Sequence, residues 1–191
     1  MVRRSKRYWW HLKSGVLIIA NALCKTNMAE EQVIIVDEEN HEIKIVPRSL
    51  MRRDVLLHRS TYIIVTNSEG QILIQKRSLE KDVYPGYYDP TTGGVVKEGE
   101  SYEENAIREL EEEIGVTNVE LNPLWDFRIN QDQCNVWGRA FWVTYDGPIN
   151  LVDGEVTEYL FLDRSEIDVF FASHDVMLDG QYVINRFLNN E

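Results

Sequence analysis

The chain has 191 residues, which is enough for one domain with a sizeable core. Its formal net charge is −12, and this acidic balance argues against nonspecific binding to nucleic acid or to a membrane surface. The two cysteines, Cys24 and Cys134, are too few for a disulfide framework. They are typical of a reducing compartment, so we expect a cytoplasmic protein.

The first 27 residues differ from the rest because they contain six basic residues and no acidic one. The apolar run over residues 15–23 is too short to span a membrane. Two interpretations remain open for this segment. It resembles a weak signal peptide with a cleavage site near Ala20-Asn21-Ala22, or it is a basic tail ahead of a native start at Met28. We favour the second.

The next residues predict an N-terminal unit over residues 28–57. Apolar alternation predicts strands over residues 32–37 and 41–46, joined by a turn as a hairpin. Residues 47–56 predict a short helix that has Pro47 near its start.

The main domain is predicted over residues 58–191. It opens with strands over residues 58–66 and 71–77, and the intervening turn predicts that they pair as a second hairpin. A rigid aromatic loop follows at residues 84–90, and a short strand over residues 93–97 leads into a helix.

The second half of the chain predicts three strands, over residues 119–130, 136–145 and 155–162. A short helix beginning at Asp163 and a closing helix over residues 175–188 complete the chain. No repeat or second domain is evident. This order of elements predicts an α/β fold, in the form of an α/β/α sandwich with a mixed sheet and an N-terminal hairpin.

The helix over residues 101–114 has clear end signals. Ser101 is a good N-cap, Glu104 stands where a capping-box partner would stand, and Gly115 is a good C-terminal stop. The helical period predicts one apolar stripe. Its residues are Ala106, Ile107, Leu110 and Ile114.

Glu109, Glu112 and Glu113 cluster on the neighbouring face of this helix, at positions i, i+3 and i+4. Like charges at this spacing repel each other, and a divalent cation would remove that conflict. Magnesium prefers carboxylate oxygens together with substrate phosphates, and it lowers the pKa of bound water. A charge-assisted bond from Arg108 would orient Glu109. The alternative is an acidic helix face that is simply solvated.

The spacing of nine residues around this helix resembles the Nudix box, and no position of the pattern is missing over residues 94–116. These residues are Gly94, Glu100, Arg108, Glu109, Leu110, Glu112, Glu113, Gly115 and Val116. The resemblance implies an α/β/α hydrolase that uses Mg²⁺ or Mn²⁺ to cut a diphosphate bond in a small molecule, of the nucleoside-diphosphate-linked-X type.

The resemblance also implies site roles. Glu109, Glu112 and Glu113 would ligate the metal. The backbone carbonyl of Gly93 would be a further ligand, and Glu100 would join a second metal or support the first. Among these residues we expect Arg108, Glu109 and Glu112 to be catalytic. Because Nudix enzymes often dimerise, a homodimer is also an expectation.

Residues 32–185 resemble the isopentenyl-diphosphate-isomerase-like branch of the superfamily, and within it the bacterial YfcD-like hydrolases. An isomerase would need a cysteine where Thr92 stands, a histidine where Gly94 stands, and glutamates near residues 131–135. These groups are absent, and His58 alone matches a metal-binding histidine of the isomerases. Carbon protonation needs such acid and base groups, so hydrolysis is favoured.

A noncatalytic sensor of a nucleotide metabolite is the third hypothesis, although a sensor has no need to keep all three glutamates. For a hydrolase, the candidates for a general base outside the box are Asp153, Glu155 and Glu158.

Substrate phosphates need cationic partners. The candidates are Arg59, Lys76 and Arg77 before the box, and Arg128 and Arg139 after it. Arg77 is preferred, because Nudix proteins often place a phosphate-facing arginine at this end of the strand.

Several aromatic residues are available to stack on a base or to pack in a core. These are Tyr84, Tyr87, Trp125, Trp137 and Trp142. Trp142 is expected in the core and Trp137 in the substrate pocket. The loops over residues 78–92 and 145–155 would set the specificity.

Overall fold

The structure is a computed structural model that describes residues 30–131 and 133–189. The basic segment over residues 1–27 lies outside the described residues. No helix within the two described ranges has the length and apolar character that a membrane crossing requires.

One mixed sheet holds the described part of the chain together. Its strands are β1 (Gln32–Val36), β2 (Glu42–Pro47), β3 (His58–Thr66), β4 (Ile72–Arg77), β5 (Tyr88–Asp89), β6 (Asn122–Gln131), β7 (Cys134–Thr144) and β8 (Val156–Leu162). The helices are α1 (Arg48–Arg53), α2 (Tyr102–Ile114), α3 (Ile167–Ser173) and α4 (Leu178–Leu188), with a 3₁₀ turn at Arg164–Glu166.

The sheet is mixed because β3 and β7 run parallel, in register from His58↔Val136 to Thr66↔Thr144. The other neighbours are antiparallel: β6 pairs with β7, β8 with β4, and β1 with both β2 and β3. The predicted N-terminal hairpin therefore forms and extends the same sheet.

Apolar side chains fill both faces of the sheet and create three layers. The residues buried between α2 and the sheet include Ile63, Val65, Leu73, Val96, Ala106, Leu110, Ile114, Phe141 and Val143. Those buried against α3 and α4 include Tyr62, Ile64, Ile72, Ile74, Phe127, Val136, Ile167, Val183 and Ile184. The predicted α/β/α sandwich with a mixed sheet is confirmed.

The predicted hairpin of β3 and β4 forms at its turn, but the antiparallel pairing of the two strands does not extend beyond Thr66↔Ile72. The segment before α2 occupies the space between them, through bridges at Ile63↔Thr92 and Ser60↔Val95. The predicted strand over residues 93–97 is reduced to such isolated bridges. Strand β4 pairs instead along its length with β8. The two strands therefore diverge beyond Thr66↔Ile72, and α2 packs against one face of the sheet.

His58 is buried at the start of β3, where its Nδ1–H donates to the carbonyl of Leu56 at 2.8 Å. Burial, reinforced by nearby arginines, lowers the pKa of His58 from 6.5 to about 4, although the Leu56 carbonyl opposes the shift. Such a buried, hydrogen-bonded imidazole is a structural group in this fold.

We expect acid to destabilise the protein through His58. Between pH 6.5 and pH 4 the unfolded chain takes up a proton that the folded chain excludes, so stability falls as the pH falls. The contribution should be about 2 kcal/mol between pH 7.5 and pH 5. Urea unfolding at both pH values would show this loss shrinking in His58→Gln and persisting in His41→Gln, which changes an exposed turn histidine. An equal loss in both variants would contradict the assignment.

Candidate active site

Helix α2 carries the box glutamates, and both of its ends are fixed by local contacts. The Ser101 side chain accepts the amide of Glu104 at 3.1 Å, and the Glu104 carboxylate accepts the amide of Ser101 at 2.9 Å. Gly115 ends the helix with a φ of +68°, a conformation that glycine adopts without strain. The predicted capping box and stop are confirmed.

The buried face of α2 differs from the predicted stripe. Ile107 is 50% exposed, whereas Asn105, Glu109 and Glu113 are buried beside Leu110. Asn105 donates to the carbonyl of Val95 at 2.9 Å and accepts from Thr61 at 2.5 Å. The apolar pattern missed this face because polar side chains form part of it, and their hydrogen-bond partners lie elsewhere in the chain.

Glu113 is the most buried box glutamate, with 1% of its surface exposed. Its Oε2 accepts from Gln75 Nε2 at 3.0 Å and from the amide of Gly93 at 3.4 Å. Its Oε1 lies 3.9 Å from Lys81 Nζ. Burial, and then the charge of Glu109, raise the pKa of Glu113 to about 8. The site therefore holds Glu113 where its negative charge is poorly solvated.

Glu109 is buried against the backbone at Gly94, where an added Cβ would lie 2.7 Å from Glu109 Oε1. Glycine at this position leaves room for the carboxylate. Arg108 Nη1 lies 2.9 Å from the same oxygen. Burial raises the pKa of Glu109, and the charge of Arg108 opposes that rise.

Arg108 joins three carboxylates. Its Nε lies 2.6 Å from Glu100 Oε1, and its Nη1 lies 2.7 Å from Glu112 Oε2 in addition to the contact with Glu109. Burial favours protonation of Glu100, but hydrogen bonds from Arg108, Asn105 and the Lys97 amide outweigh it and lower the pKa of Glu100 to about 2. Arg108 thus lies where it can orient Glu109, and Glu100 anchors Arg108.

The donor atoms around Gly93 and Gly94 suit a hard divalent cation. Glu109 and Glu113 offer carboxylate oxygens, and the buried Gln75 Oε1 has no hydrogen-bond partner among the described residues. No three His, Cys, Asp or Glu side chains in the described ranges are already gathered as a metal-binding group. The Glu112 side chain is 47% exposed and is held by Arg108. For all three glutamates to ligate one metal ion, Glu112 would have to leave Arg108.

The three predicted substrate-binding cations do not converge at Glu113. Arg77 donates to the carbonyl of Val83 at 2.9 Å, which ties down the loop after β4. Arg59 contacts the β1–β2 hairpin, bonding to Asn40 at 2.9 Å and to Glu42 at 2.8 Å.

Lys76 pairs with Glu158 at 3.0 Å, and its side chain lines a cavity of about 480 Å³ with Tyr88 and His174. Tyr88 and His174 pack with α3, on the face of the sheet opposite α2. The two phosphate-binding candidates that follow the box in the sequence are also paired with acidic residues. Arg128 pairs with Glu38, and Arg139 pairs with Asp126.

The structure adds two residues that the sequence did not single out, Gln75 and Lys81. The Lys81 side chain is only 13% exposed and lies between Glu113 and Glu155, pairing with both. In the sequence, Lys81 stands in an ordinary charged loop, and Gln75 stands between the apolar and the basic residues of β4. Neither position carries a local signal, because both contacts depend on how β4 and its loop pack over α2.

The three candidates for the general base lie in different surroundings. Glu155 binds Lys81 and is thereby connected to Glu113. Asp153 accepts the amide of Glu155 at 2.8 Å. Glu158 is held by Lys76 and by the Tyr88 hydroxyl at 3.1 Å. Glu155 is thus the candidate that Lys81 connects to the buried Glu113.

The candidate aromatic residues serve mainly in packing. Trp142 packs against the core and donates to Thr66 at 2.9 Å, as expected for a core residue. Trp137 packs against Ile34, Val36 and Leu57 beside the N-terminal hairpin. Its indole N–H donates to the Asp37 carbonyl at 3.2 Å, so it is a hairpin contact.

A protein-family model described as the NUDIX domain matches residues 56–181 of this chain. An uncharacterised Nudix hydrolase named YfcD, from Escherichia coli K12, is 42% identical over 137 residues, which cover 72% of this chain and 76% of the relative. An uncharacterised Nudix hydrolase of Pseudomonas aeruginosa is 36% identical over 132 residues, covering 69% and 78%.

Two solved structures share the fold at low sequence identity. DR0079 from Deinococcus radiodurans has a TM-score of 0.71 and 23% identity, with 81% of this chain and 98% of that chain covered. A MutT protein from Methanosarcina mazei has a TM-score of 0.60 and 21% identity, with 71% and 96% covered.

Proposed function

The chain belongs to the NUDIX domain family, and from this premise we propose that it is a metal-dependent pyrophosphohydrolase. Its substrate would be a small molecule with a diphosphate bond, of the nucleoside-diphosphate-linked-X type. The observation that carries the proposal is the burial of Glu109 and Glu113 together against the Gly93–Gly94 backbone. Two neighbouring buried carboxylates are unfavourable by themselves, and a bound cation supplies the missing positive charge.

Glu109, Glu112 and Glu113, with the Gly93 carbonyl, would hold Mg²⁺ or Mn²⁺. When bound, the metal neutralises the diphosphate and lowers the pKa of its water. Arg108 fixes the orientation of Glu109 and Glu112 through the bonds described above. Glu100 supports this arrangement through its own pairing with Arg108.

Glu155 is our first choice for the residue that accepts the proton of the attacking water, because it is connected to Glu113 through Lys81. Lys81 would also balance negative charge beside a diphosphate. The candidates for phosphate binding remain Arg77, Arg59 and Lys76. To bind a phosphate, each side chain must first leave its present protein partner.

A screen of diphosphate compounds with Mg²⁺ or Mn²⁺ tests the function. We expect the wild type to release phosphate products from at least one compound, and Glu112→Gln to abolish that release. Glu111→Gln is the matched control, because Glu111 is an exposed carboxylate on the same helix. It should retain wild-type turnover.

Other outcomes of the same screen separate the alternatives. Isomerised isopentenyl diphosphate would contradict hydrolysis and show that Thr92 and Gly94 do not exclude isomerase chemistry. Metal and nucleotide binding without turnover of any compound would favour the noncatalytic sensor.

A further inference from the structure

Gln75 is a buried polar residue that follows the apolar residues Ile72, Leu73 and Ile74 of β4, and 1% of its surface is exposed. Its Nε2 donates to Glu113 Oε2 at 3.0 Å and to the Thr91 carbonyl at 3.1 Å. Both amide hydrogens are therefore used, and one of them reaches a box glutamate that is 38 residues away in the chain.

The Thr91 carbonyl fixes which way the Gln75 amide points. A carbonyl oxygen only accepts hydrogen bonds, so the group that faces it must be the NH₂. The same nitrogen then meets Glu113, because it lies within 3.1 Å of both acceptors. Gln75 cannot reverse its amide without placing its own oxygen against the Thr91 carbonyl.

This contact divides the two oxygens of Glu113 between different tasks. Oε2 accepts from Gln75 and from the Gly93 amide, so its lone pairs are occupied by protein donors. Oε1 accepts no hydrogen bond from a residue in the described ranges, and its neighbour there is Lys81, with Nζ 3.9 Å away. We propose that Gln75 is a positioning residue that pins Oε2 of Glu113 and thereby presents Oε1 to the divalent cation. This inference rests on the proposed function.

The other end of the amide supports the same assignment. Gln75 Oε1 is buried and has no hydrogen-bond partner within the described ranges. A buried acceptor without a partner is unfavourable, and such groups in native proteins usually mark a functional position or a bound water or ion. A hydrated cation held by Glu113 would supply the donor that this oxygen lacks.

The test is Mn²⁺ affinity, measured by titration of the free ion with the wild type and Gln75→Met. Methionine keeps the length of the side chain but removes the donor. Loss of a partner that orients a metal ligand typically weakens metal binding by about 10–100-fold, and we expect a loss in this range. Gln71→Met is the control, because Gln71 lies in the turn before β4 and its amide donates to the exposed Asp163 at 3.0 Å. It should bind Mn²⁺ as the wild type does.

A double variant tests whether Gln75 acts through Glu113. In a Glu113→Gln background, Gln75→Met should weaken Mn²⁺ binding no further. A merely structural role predicts a different result, in which Gln75→Met lowers the melting temperature but leaves the Mn²⁺ affinity within about twofold of the wild type. That result would overturn the proposal.

A measurement on the wild type covers the case in which Gln75→Met does not fold. The side-chain amide protons of Gln75 should shift in the NMR spectrum when Mg²⁺ is added, while those of Gln71 stay in place. Unshifted Gln75 protons at saturating Mg²⁺ would refute the positioning role alone. Failure of the wild type to bind Mn²⁺ or Mg²⁺ would instead overturn the proposed function together with this inference.

Discussion

Replacing Glu109 with glutamine is expected to reduce turnover by about 10³-fold or more and to leave the protein at least as stable as before. The loss of turnover follows because glutamine offers the metal one neutral oxygen in place of a carboxylate. The stability should not fall, because burial raises the pKa of Glu109 and so penalises its charged form near neutral pH. A neutral side chain of the same shape removes that penalty.

Arg108 does not become an uncompensated charge in this variant, since it keeps its bonds to Glu100 and Glu112. Steady-state hydrolysis of the substrate found in the screen, together with urea unfolding, measures both effects. Glu111→Gln should change neither quantity. Retained turnover in Glu109→Gln would remove this residue from the metal site, and a large loss of stability would show that its carboxylate is a structural group.

Replacing Gly93 with alanine is expected to destabilise the fold by about 3 kcal/mol or more. Gly93 has a φ of +145°, a conformation that is open essentially to glycine alone. An added Cβ would also lie 2.2 Å from the carbonyl oxygen of Thr61, in the backbone of the central strand β3. That strand cannot move away, because β7 pairs with it along its whole length.

Thermal unfolding should therefore show a melting temperature lowered by roughly 10 °C in Gly93→Ala. Gly70→Ala separates backbone strain from the steric clash of the added Cβ. Gly70 has a φ of +79°, but no atom lies within 4 Å of an added Cβ. It isolates backbone strain, for which we expect about 1–2 kcal/mol. Equal effects at the two glycines would mean that the contact with Thr61 relaxes.

Elements whose ends depend on near neighbours in the chain can be predicted from the amino-acid sequence. Helix α2 ends where Ser101 and Gly115 predict, because capping bonds span only a few residues. Strand β3 has the predicted bounds, since turn residues and an apolar run are local signals. The box glutamates and the family could also be predicted from the sequence, because the spacing of the glutamates along one helix is a local pattern.

The pairing of the strands and the side chains that complete the site depend on contacts between residues far apart in the chain. Strand β3 lies parallel to β7 and pairs with β4 only at Thr66↔Ile72. Residues 92–97 form bridges to β3 along the edge where β4 would otherwise pair. Gln75 reaches Glu113 through the same packing. Such contacts depend on long-range burial and on satisfying buried polar atoms, and local patterning carries no information about either.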